Sequence, residues 1–429
     1  MIKTVLPGSL SGEIRIIPSK SLSHRAVLLA AMAEGETRLA PLQLSKDIEA
    51  TLSCAEALGL CAGASFSPWQ QTGFLQGIIR GGASGALCGS RTLDCGESGS
   101  TLRFLIPLAL DGRGPVTFIG HGRLMQRPLD QYKQLFLPRG IRWQQSGDQL
   151  TVDGRLTPGE YGLRGDISSQ FITGLLLALP LLDGESVIRI TTPLESRAYV
   201  ELTRQEQAAF GITSRWEDPQ TLVIPGRQRA VSPGSRIVVG DWSHAAFYLV
   251  AGAVGSRSPV RLLGMSAESG QGDAAIAAML TRMGARIETD THGITVYPSK
   301  LKGCAVSVEQ TPDLVPALAV AMAAAQGESR IIGAARLRLK ESDRLAAMRA
   351  ALCAAGADVT ELPDGLVIRG GKPLHAAQID GCNDHRIVMA MAIASALSGG
   401  TLAISDAEAV AKSAPAFFQE FTMLGGRAL

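Results

Sequence analysis

A helix-and-strand pattern that recurs about every 72 residues constrains the fold of this chain more than any other feature. In each copy a run of small and aliphatic residues ends at a glycine and a β-type run follows, as in AMAAAQG-ESRIIG. Successive glycines are 77, 72, 71, 72 and 72 residues apart. Because glycine is common just past the end of a helix, each copy predicts a helix followed by a strand. The six glycines are Gly35, Gly112, Gly184, Gly255, Gly327 and Gly399.

A second glycine in each copy marks the end of a second helix, 24, 28, 27, 29, 29 and 26 residues after the first. Extended segments follow most of these glycines, as in ADVTELPDGLVIRG. Each copy therefore predicts the order helix, strand, helix, strand, strand, and six copies account for nearly the whole chain. The second glycines are Gly59, Gly140, Gly211, Gly284, Gly356 and Gly425.

The sixth copy is too short to be complete, because only RAL follows Gly425. The N-terminal TVLPGSLSGEIRIIP offers two extended stretches, so we expect residues 1–18 to complete the sixth copy. Three copies per domain then predict an α/β fold with one domain at 19–239 and another at 1–18 plus 240–429. The chain should cross between the domains near Pro18–Lys20 and near Val239–Asp241.

Composition excludes several classes of protein. Apolar residues make up 46% of the chain, which is too much for disorder, and 41 basic against 39 acidic residues argue against a general nucleic-acid binder. No signal-peptide pattern and no apolar run of membrane-spanning length are present, so we expect a cytoplasmic protein. The six histidines show no metal-ligand spacing, and the seven cysteines form no C-x-x-C pair, which indicates reduced thiols and no metal site. The cysteines are Cys54, Cys61, Cys88, Cys95, Cys304, Cys353 and Cys382.

Cations at helix starts are the strongest functional signal. A helix N-terminus carries partial positive charge, so lysine and arginine are unfavourable there unless an anion offsets them. If equivalent helices point the same way, their starts converge on one face, and two such faces would enclose a cleft for phosphorylated or carboxylated small molecules. Scattered solvated charges and simple capping are the alternatives. The cations are Lys20, Arg25, Arg103, Arg123, Arg127, Lys340, Arg344, Arg386 and Lys412.

Two carboxylates, Asp313 and Glu341, share these positions. A carboxylate beside lysine and arginine is usually an ion-pair partner, whereas in a closed cleft it can be a general acid or base. Position alone leaves both readings open.

The motifs at these helix starts resemble those of the 5-enolpyruvylshikimate-3-phosphate (EPSP) synthase family of enolpyruvyl transferases over the full length of the chain. The resemblance implies two pseudo-threefold domains, each of three βαβαββ repeats with buried helices, an inside-out α/β barrel. It also implies transfer of the enolpyruvyl group of phosphoenolpyruvate to the 5-hydroxyl of shikimate 3-phosphate, by addition and elimination through a tetrahedral ketal, without a cofactor. The motifs are PSKSLSHR (18–25), GESGSTLR (96–103), GRLMQRPL (122–129), SSQF (168–171), SRAY (196–199), PD (312–313), LKESDRL (339–345), NDHR (383–386) and AKS (411–413).

The resemblance also implies roles for individual residues. Asp313 would be the base on the 5-hydroxyl, Glu341 the acid at the methylene carbon, and Lys20 a third catalytic residue. Lys340 would bridge the two substrates. The implied shikimate 3-phosphate contacts are Lys20, Ser21, Arg25, Ser168, Ser169, Gln170, Ser196, Tyr199, Asp313 and Lys340. The implied phosphoenolpyruvate contacts are Lys20, Gly99, Arg123, Gln170, Arg344, Arg386 and Lys412.

Three positions depart from the pattern of many members of the family. Glu97 replaces an asparagine, Phe104 replaces a proline, and Arg336 replaces a substrate-contacting asparagine. Glu97 adds negative charge near the expected phosphoenolpyruvate site, so we expect reduced sensitivity to glyphosate, a mimic of that substrate.

Three alternative functions fit the sequence less well. UDP-N-acetylglucosamine enolpyruvyl transferase would carry a reactive cysteine within 111–128, where this chain has none. A non-catalytic phosphometabolite-binding protein would be indicated by loss of Asp313, Glu341 or Lys20, and all three are present. An RNA-end-modifying enzyme would need a nucleophilic histidine and a more basic face. We therefore expect a monomeric enzyme with two small-molecule substrates and no nucleic-acid or membrane partner.

Overall fold

The computed structural model describes residues 1–70, 72–82, 91–255, 257–266 and 268–429. The chain forms two compact units. The N-terminal unit is Pro18–Val238, and the C-terminal unit combines Met1–Ile17 with Val239–Leu429. Both boundaries lie one residue before the ones expected from the sequence.

The helices and strands follow the repeat in chain order. The C-terminal unit begins with β1 (Lys3–Leu6) and β2 (Gly12–Arg15). The N-terminal unit consists of α1 (Lys20–Met32), β3 (Glu36–Leu42), α2 (Lys46–Ala57), β4 (Cys61–Trp69), β5 (Phe74–Gly81), β6 (Arg91–Asp94), α3 (Gly99–Leu108), β7 (Val116–Ile119), α4 (Asp130–Phe136), β8 (Arg142–Ser146), β9 (Gln149–Asp153), β10 (Glu160–Leu163), α5 (Ser169–Ala178), β11 (Ser186–Ile190), α6 (Arg197–Ala209), β12 (Arg215–Asp218), β13 (Thr221–Ile224) and β14 (Ser235–Ile237). The C-terminal unit continues with α7 (Trp242–Val254), β15 (Val260–Leu263), α8 (Ala275–Arg282), β16 (Arg286–Thr289), β17 (Gly293–Tyr297), β18 (Ala305–Ser307), α9 (Val315–Ala324), β19 (Gly327–Ile332), α10 (Arg344–Ala354), β20 (Asp358–Leu362), β21 (Gly365–Gly370), β22 (Ala377–Ile379), α11 (His385–Ala394), β23 (Leu402–Ile404), α12 (Phe417–Met423) and β24 (Arg427–Ala428).

The described strands form six four-stranded sheets, three in each unit. In each sheet a leading strand pairs in parallel with the strand that follows the first helix, and that strand then pairs antiparallel within the rest of the sheet. The fifth copy shows the pattern: β18 is parallel to β19, β19 is antiparallel to β21, and β20 is antiparallel to β21. The predicted βαβαββ order is therefore confirmed. The sheets are β14-β3-β5-β4, β6-β7-β9-β8, β10-β11-β13-β12, β16-β17-β15-β2, β18-β19-β21-β20 and β22-β23-β1-β24.

One sequence-based assignment was wrong. β1 does complete the sixth copy, between β23 and β24, but β2 pairs in parallel with β15 and so leads the fourth copy. In the same way β14 precedes α7 in sequence but pairs with β3 in the first copy. The chain thus passes from one unit to the other between a leading strand and the helix that follows it in sequence. The pattern of strand residues does not show to which unit such a leading strand belongs. The short β24 also forms within RAL, where we expected no strand.

The first helix of each copy is buried. In the C-terminal unit α7, α9 and α11 contact one another. The α9 sequence VPALAVAMAA has no charged residue, and nine of its ten residues are buried, because a helix that is apolar on every side leaves no face for solvent. In the N-terminal unit α1, α3 and α5 are similarly buried. The predicted buried helices are confirmed.

The two sets of glycines follow the helix-cap expectation to different extents. All six second glycines have positive φ, from 74° at Gly59 to 103° at Gly284, as expected for left-handed helix caps. In the first set Gly35, Gly112 and Gly327 also have positive φ, whereas Gly184, Gly255 and Gly399 do not. Gly255 has a φ of −117°. Glycine is required there by close approach, since a Cβ would lie 2.2 Å from the Cβ of Ala396.

The structure can also be searched for membrane-spanning helices and for clusters of metal ligands. Within the described ranges, no helix is long and apolar enough to cross a membrane. No cluster of three or more potential metal ligands occurs in that same part of the chain. Cys54, Cys61, Cys95, Cys304, Cys353 and Cys382 are free thiols, whereas Cys88 lies outside the described residues.

Candidate active site

Helix starts in the C-terminal unit bring one carboxylate into contact with three cations. Asp313 lies in a 3₁₀ turn, Pro312–Leu314, just before α9. Its Oδ1 is 2.7 Å from Arg344 Nη1 and 3.4 Å from Lys340 Nζ, and its Oδ2 is 3.5 Å from Arg386 Nη2. Four predicted site residues, which lie at or just before the starts of α9, α10 and α11, thus meet at one point.

The cations govern the protonation of Asp313. Burial alone would raise the pKa of Asp313, but Arg386, Lys340 and Arg344 outweigh burial and hold this pKa far below its usual range. The carboxyl group is therefore ionised at neutral pH and is a weak base while all three cations face it.

Arg344 is held by protein carboxylates on several sides. Its side chain is 2% exposed, and it donates to Glu341 Oε2 at 2.7 Å and to Asp384 Oδ2 at 2.8 Å, besides Asp313. Burial would lower the pKa of Arg344, but Asp384, Glu341 and Asp313 raise it above its usual value. Arg344 thus positions Asp313 and Glu341 relative to each other. The predicted contact with phosphoenolpyruvate would come in addition to these bonds.

Asp384 is a site residue that sequence reasoning missed. It is fully buried, caps α11 by accepting from the Arg386 N–H at 2.9 Å, and accepts from the Ser342 hydroxyl at 2.9 Å. Burial would raise the pKa of Asp384, but Arg344 more than offsets this effect and the pKa is lowered. Asp384 lies in the motif NDHR, where only the arginine was assigned a role.

Lys412 and Asp273 are two further buried polar residues of this unit. Lys412 is buried and its Nζ donates to the Asn383 carbonyl at 2.7 Å, which places it at the start of α11. Asp273 lies in the turn Gly272–Ala274 before α8, and its carboxylate accepts from the Ser243 hydroxyl. Burial and the nearby charge of Asp313 raise the pKa of Asp273 to about 6. Sequence reasoning did not single out Asp273.

The helix starts of the N-terminal unit are also connected. Lys20, at the start of α1, forms an ion pair of 2.8 Å with Asp47 at the start of α2. The Gln170 side chain accepts from Arg103 Nη1 at 2.7 Å and donates to the Ser100 hydroxyl at 3.0 Å. The predicted residues Lys20 and Gln170 are thus fixed by groups that were not assigned, Asp47 and Ser100 among them.

Arg25 is a buried cation with no carboxylate in hydrogen-bond contact among the described residues. It donates to Ser21 O at 2.7 Å, Tyr199 O at 3.0 Å, Thr203 Oγ1 at 2.8 Å and Thr173 Oγ1 at 3.2 Å. Burial lowers the pKa of Arg25 to about 10, although Tyr199 and Glu206 act in the opposite direction. A buried charge held only by neutral oxygens favours an external anion nearby.

The serines predicted to bind phosphate lie at helix starts. Ser168 caps α5 by accepting from the Gln170 N–H at 3.3 Å, and Ser169 is the first residue of that helix. Ser196 precedes α6 with a left-handed φ of 55°, and its carbonyl accepts from the Tyr199 N–H at 3.1 Å. Backbone N–H groups at these starts suit an anion.

The loop before α3 packs against the segment after β7. A Cβ on Gly99 would lie 2.7 Å from Arg127 Nη1, so the end of the Arg127 side chain would have to shift. A Cβ on Gly122 would likewise lie 2.7 Å from Glu97 Oε2. Arg123, between these contacts, is exposed. The unassigned Arg127 and the divergent Glu97 thus lie beside the predicted phosphoenolpyruvate residues Gly99 and Arg123.

The other two divergent residues make internal contacts. Phe104 is buried, with the Arg25 guanidinium 5.2 Å from its ring centroid. Arg336 donates from Nη2 to the Glu309 carbonyl at 2.5 Å.

Two buried-helix units of three βαβαββ copies, with cations and carboxylates gathered at the helix starts, define an enolpyruvyl transferase architecture. A solved enolpyruvyl transferase, NikO from Streptomyces tendae, shares this fold with a TM-score of 0.77 at 17% identity, covering 100% of this chain and 98% of the other. EPSP synthase from Acinetobacter baumannii matches with a TM-score of 0.78 at 26% identity, covering 100% and 99%.

The family follows from sequence comparison. The family model for EPSP synthase (3-phosphoshikimate 1-carboxyvinyltransferase) matches residues 6–421. A 3-phosphoshikimate 1-carboxyvinyltransferase from Clostridium novyi is 43% identical over 424 residues, which cover 98% of this chain and 97% of the relative. The chain belongs to the EPSP synthase family of enolpyruvyl transferases.

Proposed function

We propose that this chain transfers the enolpyruvyl group of phosphoenolpyruvate to the 5-hydroxyl of shikimate 3-phosphate and releases phosphate, a step of aromatic amino acid biosynthesis. Family membership and the names of its relatives support this reaction. The observation that carries it is the contact of Asp313 with Lys340, Arg344 and Arg386, with Glu341 bonded to the same Arg344. Such a cluster combines two proton-transfer groups with the positive charge that two anionic substrates need.

In the addition step, Asp313 accepts the proton of the 5-hydroxyl while the oxygen bonds to the central carbon of phosphoenolpyruvate. Protonated Glu341 gives its proton to the methylene carbon, and a tetrahedral ketal forms. In the elimination step, Glu341 takes a proton back from the new methyl group, the double bond re-forms, and the bond to phosphate breaks. The proton on Asp313 leaves with phosphate, so both carboxyl groups return to their starting states.

Substrate binding would activate Asp313 in this scheme. In the ligand-free protein, Arg386 and Lys340 hold its pKa far below the usual range. An anionic substrate beside Lys340 and Arg386 would offset their charge and raise the pKa of Asp313 toward that of a useful base. Proton abstraction would then be favoured only when substrate is present.

The N-terminal unit would supply most of the contacts to shikimate 3-phosphate. Arg25 offers a buried positive charge, while Ser168 and Ser169 offer hydroxyl and N–H donors at the start of α5. The other proposed contacts are Lys20, Ser21, Gln170, Ser196, Tyr199, Lys340 and Asp313. The proposed phosphoenolpyruvate contacts are Lys20, Gly99, Arg123, Gln170, Arg344, Arg386 and Lys412. We also propose that the chain acts in the cytoplasm as a monomer; the reduced glyphosate sensitivity stays a prediction.

Replacing Glu341 by glutamine tests the proposed proton transfer. Glutamine can still accept from Arg344 but cannot exchange a proton, so kcat should fall by at least about a hundredfold. The measurement is phosphate release from phosphoenolpyruvate with shikimate 3-phosphate as acceptor. A matched control is Glu361→Gln, because Glu361 also accepts from an arginine, Arg338 at 2.7 Å, and should change kcat by less than about twofold.

Two results would contradict the proposal. Undiminished kcat in Glu341→Gln would show that Glu341 does not transfer the proton, while the proposed overall reaction would still stand. Phosphate release with UDP-N-acetylglucosamine, and none with shikimate 3-phosphate, would assign the chain to the sister activity.

A further inference from the structure

Asp94 and His121 link two loops of the N-terminal unit. Asp94 ends β6, and His121 follows β7. His121 Nε2 lies 2.9 Å from Asp94 Oδ1 and 3.0 Å from Oδ2, and the same Oδ1 accepts from the Gly96 N–H at 2.9 Å. The His121 N–H also donates to the Gly96 carbonyl at 2.7 Å. Side-chain and backbone bonds therefore join the loops at the same place.

These loops carry two residues of the proposed phosphoenolpyruvate site. Gly99 begins α3, five residues after β6 ends at Asp94. Arg123 lies two residues after His121 and is exposed. Neither Asp94 nor His121 has a role in the proposed reaction, and both are largely exposed, at 61% and 54% of their side chains.

The backbone beside His121 has little stiffness of its own. Glycines flank it on both sides, Gly120 and Gly122, and Gly122 has a left-handed φ of 57°. Glycine loses more conformational freedom on folding than any other residue, so a Gly-His-Gly segment needs external contacts to hold one conformation. The bonds to Asp94 and Gly96 supply such contacts immediately before Arg123.

We propose that the Asp94–His121 pair is a positioning element that fixes Arg123 relative to Gly99 for binding of phosphoenolpyruvate. This inference rests on the proposed function of Arg123 and Gly99. Support comes from the lowered pKa of Asp94: burial would raise this pKa, but the Gly96 N–H and His121 outweigh it. The pair does not contact the reacting atoms; it limits the positions that the Arg123 backbone can adopt.

The test is His121→Ala, which removes the ring but leaves the Asp94–Gly96 bond. An exposed pair contributes modestly, so KM for phosphoenolpyruvate should rise by about three- to fivefold, with kcat and KM for shikimate 3-phosphate within about twofold. His121→Gln, whose amide can still donate to Asp94, should restore much of the loss. In an Asp94→Ala background, His121→Ala should have no further effect on KM, since the two variants remove the same bond.

The matched control is His292→Ala, an exposed histidine in the turn between β16 and β17, which should change no kinetic constant beyond about twofold. Thermal melting of each variant separates misfolding from mispositioning. Equal rises in both KM values, or additive effects of Asp94→Ala and His121→Ala, would overturn the proposal. Absence of turnover in the unmodified chain would instead refute the proposed function, so the two failures are distinguishable.

Discussion

At the residue scale, Asp273 is a buried carboxyl group whose ionisation opposes folding. Its pKa is raised to about 6 by burial and by Asp313, with Asp241 acting in the same direction and Ser243 and Arg386 against it. A group whose folded pKa exceeds its unfolded value binds more protons in the native state between those two values. The free energy of unfolding therefore falls as pH rises from about 4 to about 6.

Asp273→Asn should remove this pH-dependent cost. Asparagine can still accept from Ser243, so the variant should match the parent near pH 4 and exceed its free energy of unfolding by up to about 3 kcal/mol above pH 6. Urea unfolding from pH 4 to pH 8 measures the difference. Asp148→Asn, which removes an exposed carboxyl group, is the control and should show no such trend. A constant difference at all pH values would contradict the assignment.

The partial positive charge at helix starts determines which site residues could be predicted from the sequence. Lys340, Arg344 and Arg386 stood out because a cation at a helix start is unfavourable without an anion. Asp384 and Asp47 gave no such signal, because a carboxylate at a helix start is what capping and the dipole already favour. The carboxylates that balance these cations were therefore harder to identify from the sequence than the cations themselves.

At the scale of single elements, two glycines occupy equivalent places in the two units. A Cβ on Gly370, at the end of β21, would lie 2.2 Å from the Met322 carbonyl oxygen and 2.4 Å from that of Ala325. A Cβ on Gly81, at the end of β5, would lie 2.3 Å from the Ala30 oxygen. In both cases a strand end packs directly on the carbonyl groups at the end of a buried helix, α9 or α1.

Gly370→Ala should separate this strand end from α9. Backbone carbonyls cannot rotate aside as a flexible side chain can, so we expect a loss of about 1–3 kcal/mol in the free energy of unfolding. The control is Gly8→Ala in the same unit, where no atom lies within 4 Å of the added Cβ, and the change should stay within about 0.5 kcal/mol. Guanidinium unfolding of both variants measures the difference, and equal losses would show that the close approach is not limiting.

The order of helices and strands was predictable because each repeat contains glycines that mark the ends of its helices. Second glycines such as Gly59 have a left-handed φ, which glycine adopts more readily than other residues, so the glycine itself indicates the helix end. The assignment of β2 was not predictable, because its pairing of Ile14 with Leu262 joins residues far apart in the chain. Strand propensity identifies a strand but does not choose among sheets that share one repeat.

At the scale of the whole molecule, the two units differ in how their chain is assembled. The N-terminal unit builds its three sheets from residues 18–238 alone. The C-terminal unit needs β1 and β2 from residues 1–17, and β1 lies inside its sheet, between β23 and β24. A piece that lacks residues 1–17 would leave β23 and β24 without the strand that joins them.

We expect a fragment of residues 18–238 to fold by itself and a fragment of residues 239–429 to fold poorly. Adding a peptide of residues 1–17 to the second fragment should restore native circular dichroism and a cooperative melt. A peptide of the same composition in scrambled order is the control. Cooperative unfolding of 239–429 without the peptide would show that the paired strands are dispensable.

The pairing of the chain ends has a consequence for synthesis on the ribosome. Thr4 and Leu429 exchange two backbone hydrogen bonds, of 3.1 and 2.9 Å, so a residue that is made early is bonded to one that is made much later. Residues 18–238 can fold while the rest is still being translated, because domains generally fold as units during synthesis. The N-terminal strands must remain unpaired until their partner strands have been made. The sheet that contains β2 can close once β15, β16 and β17 have been made, but the sheet that contains β1 closes only after β24. Translation products that stop before β24 would therefore carry one complete unit and one open one.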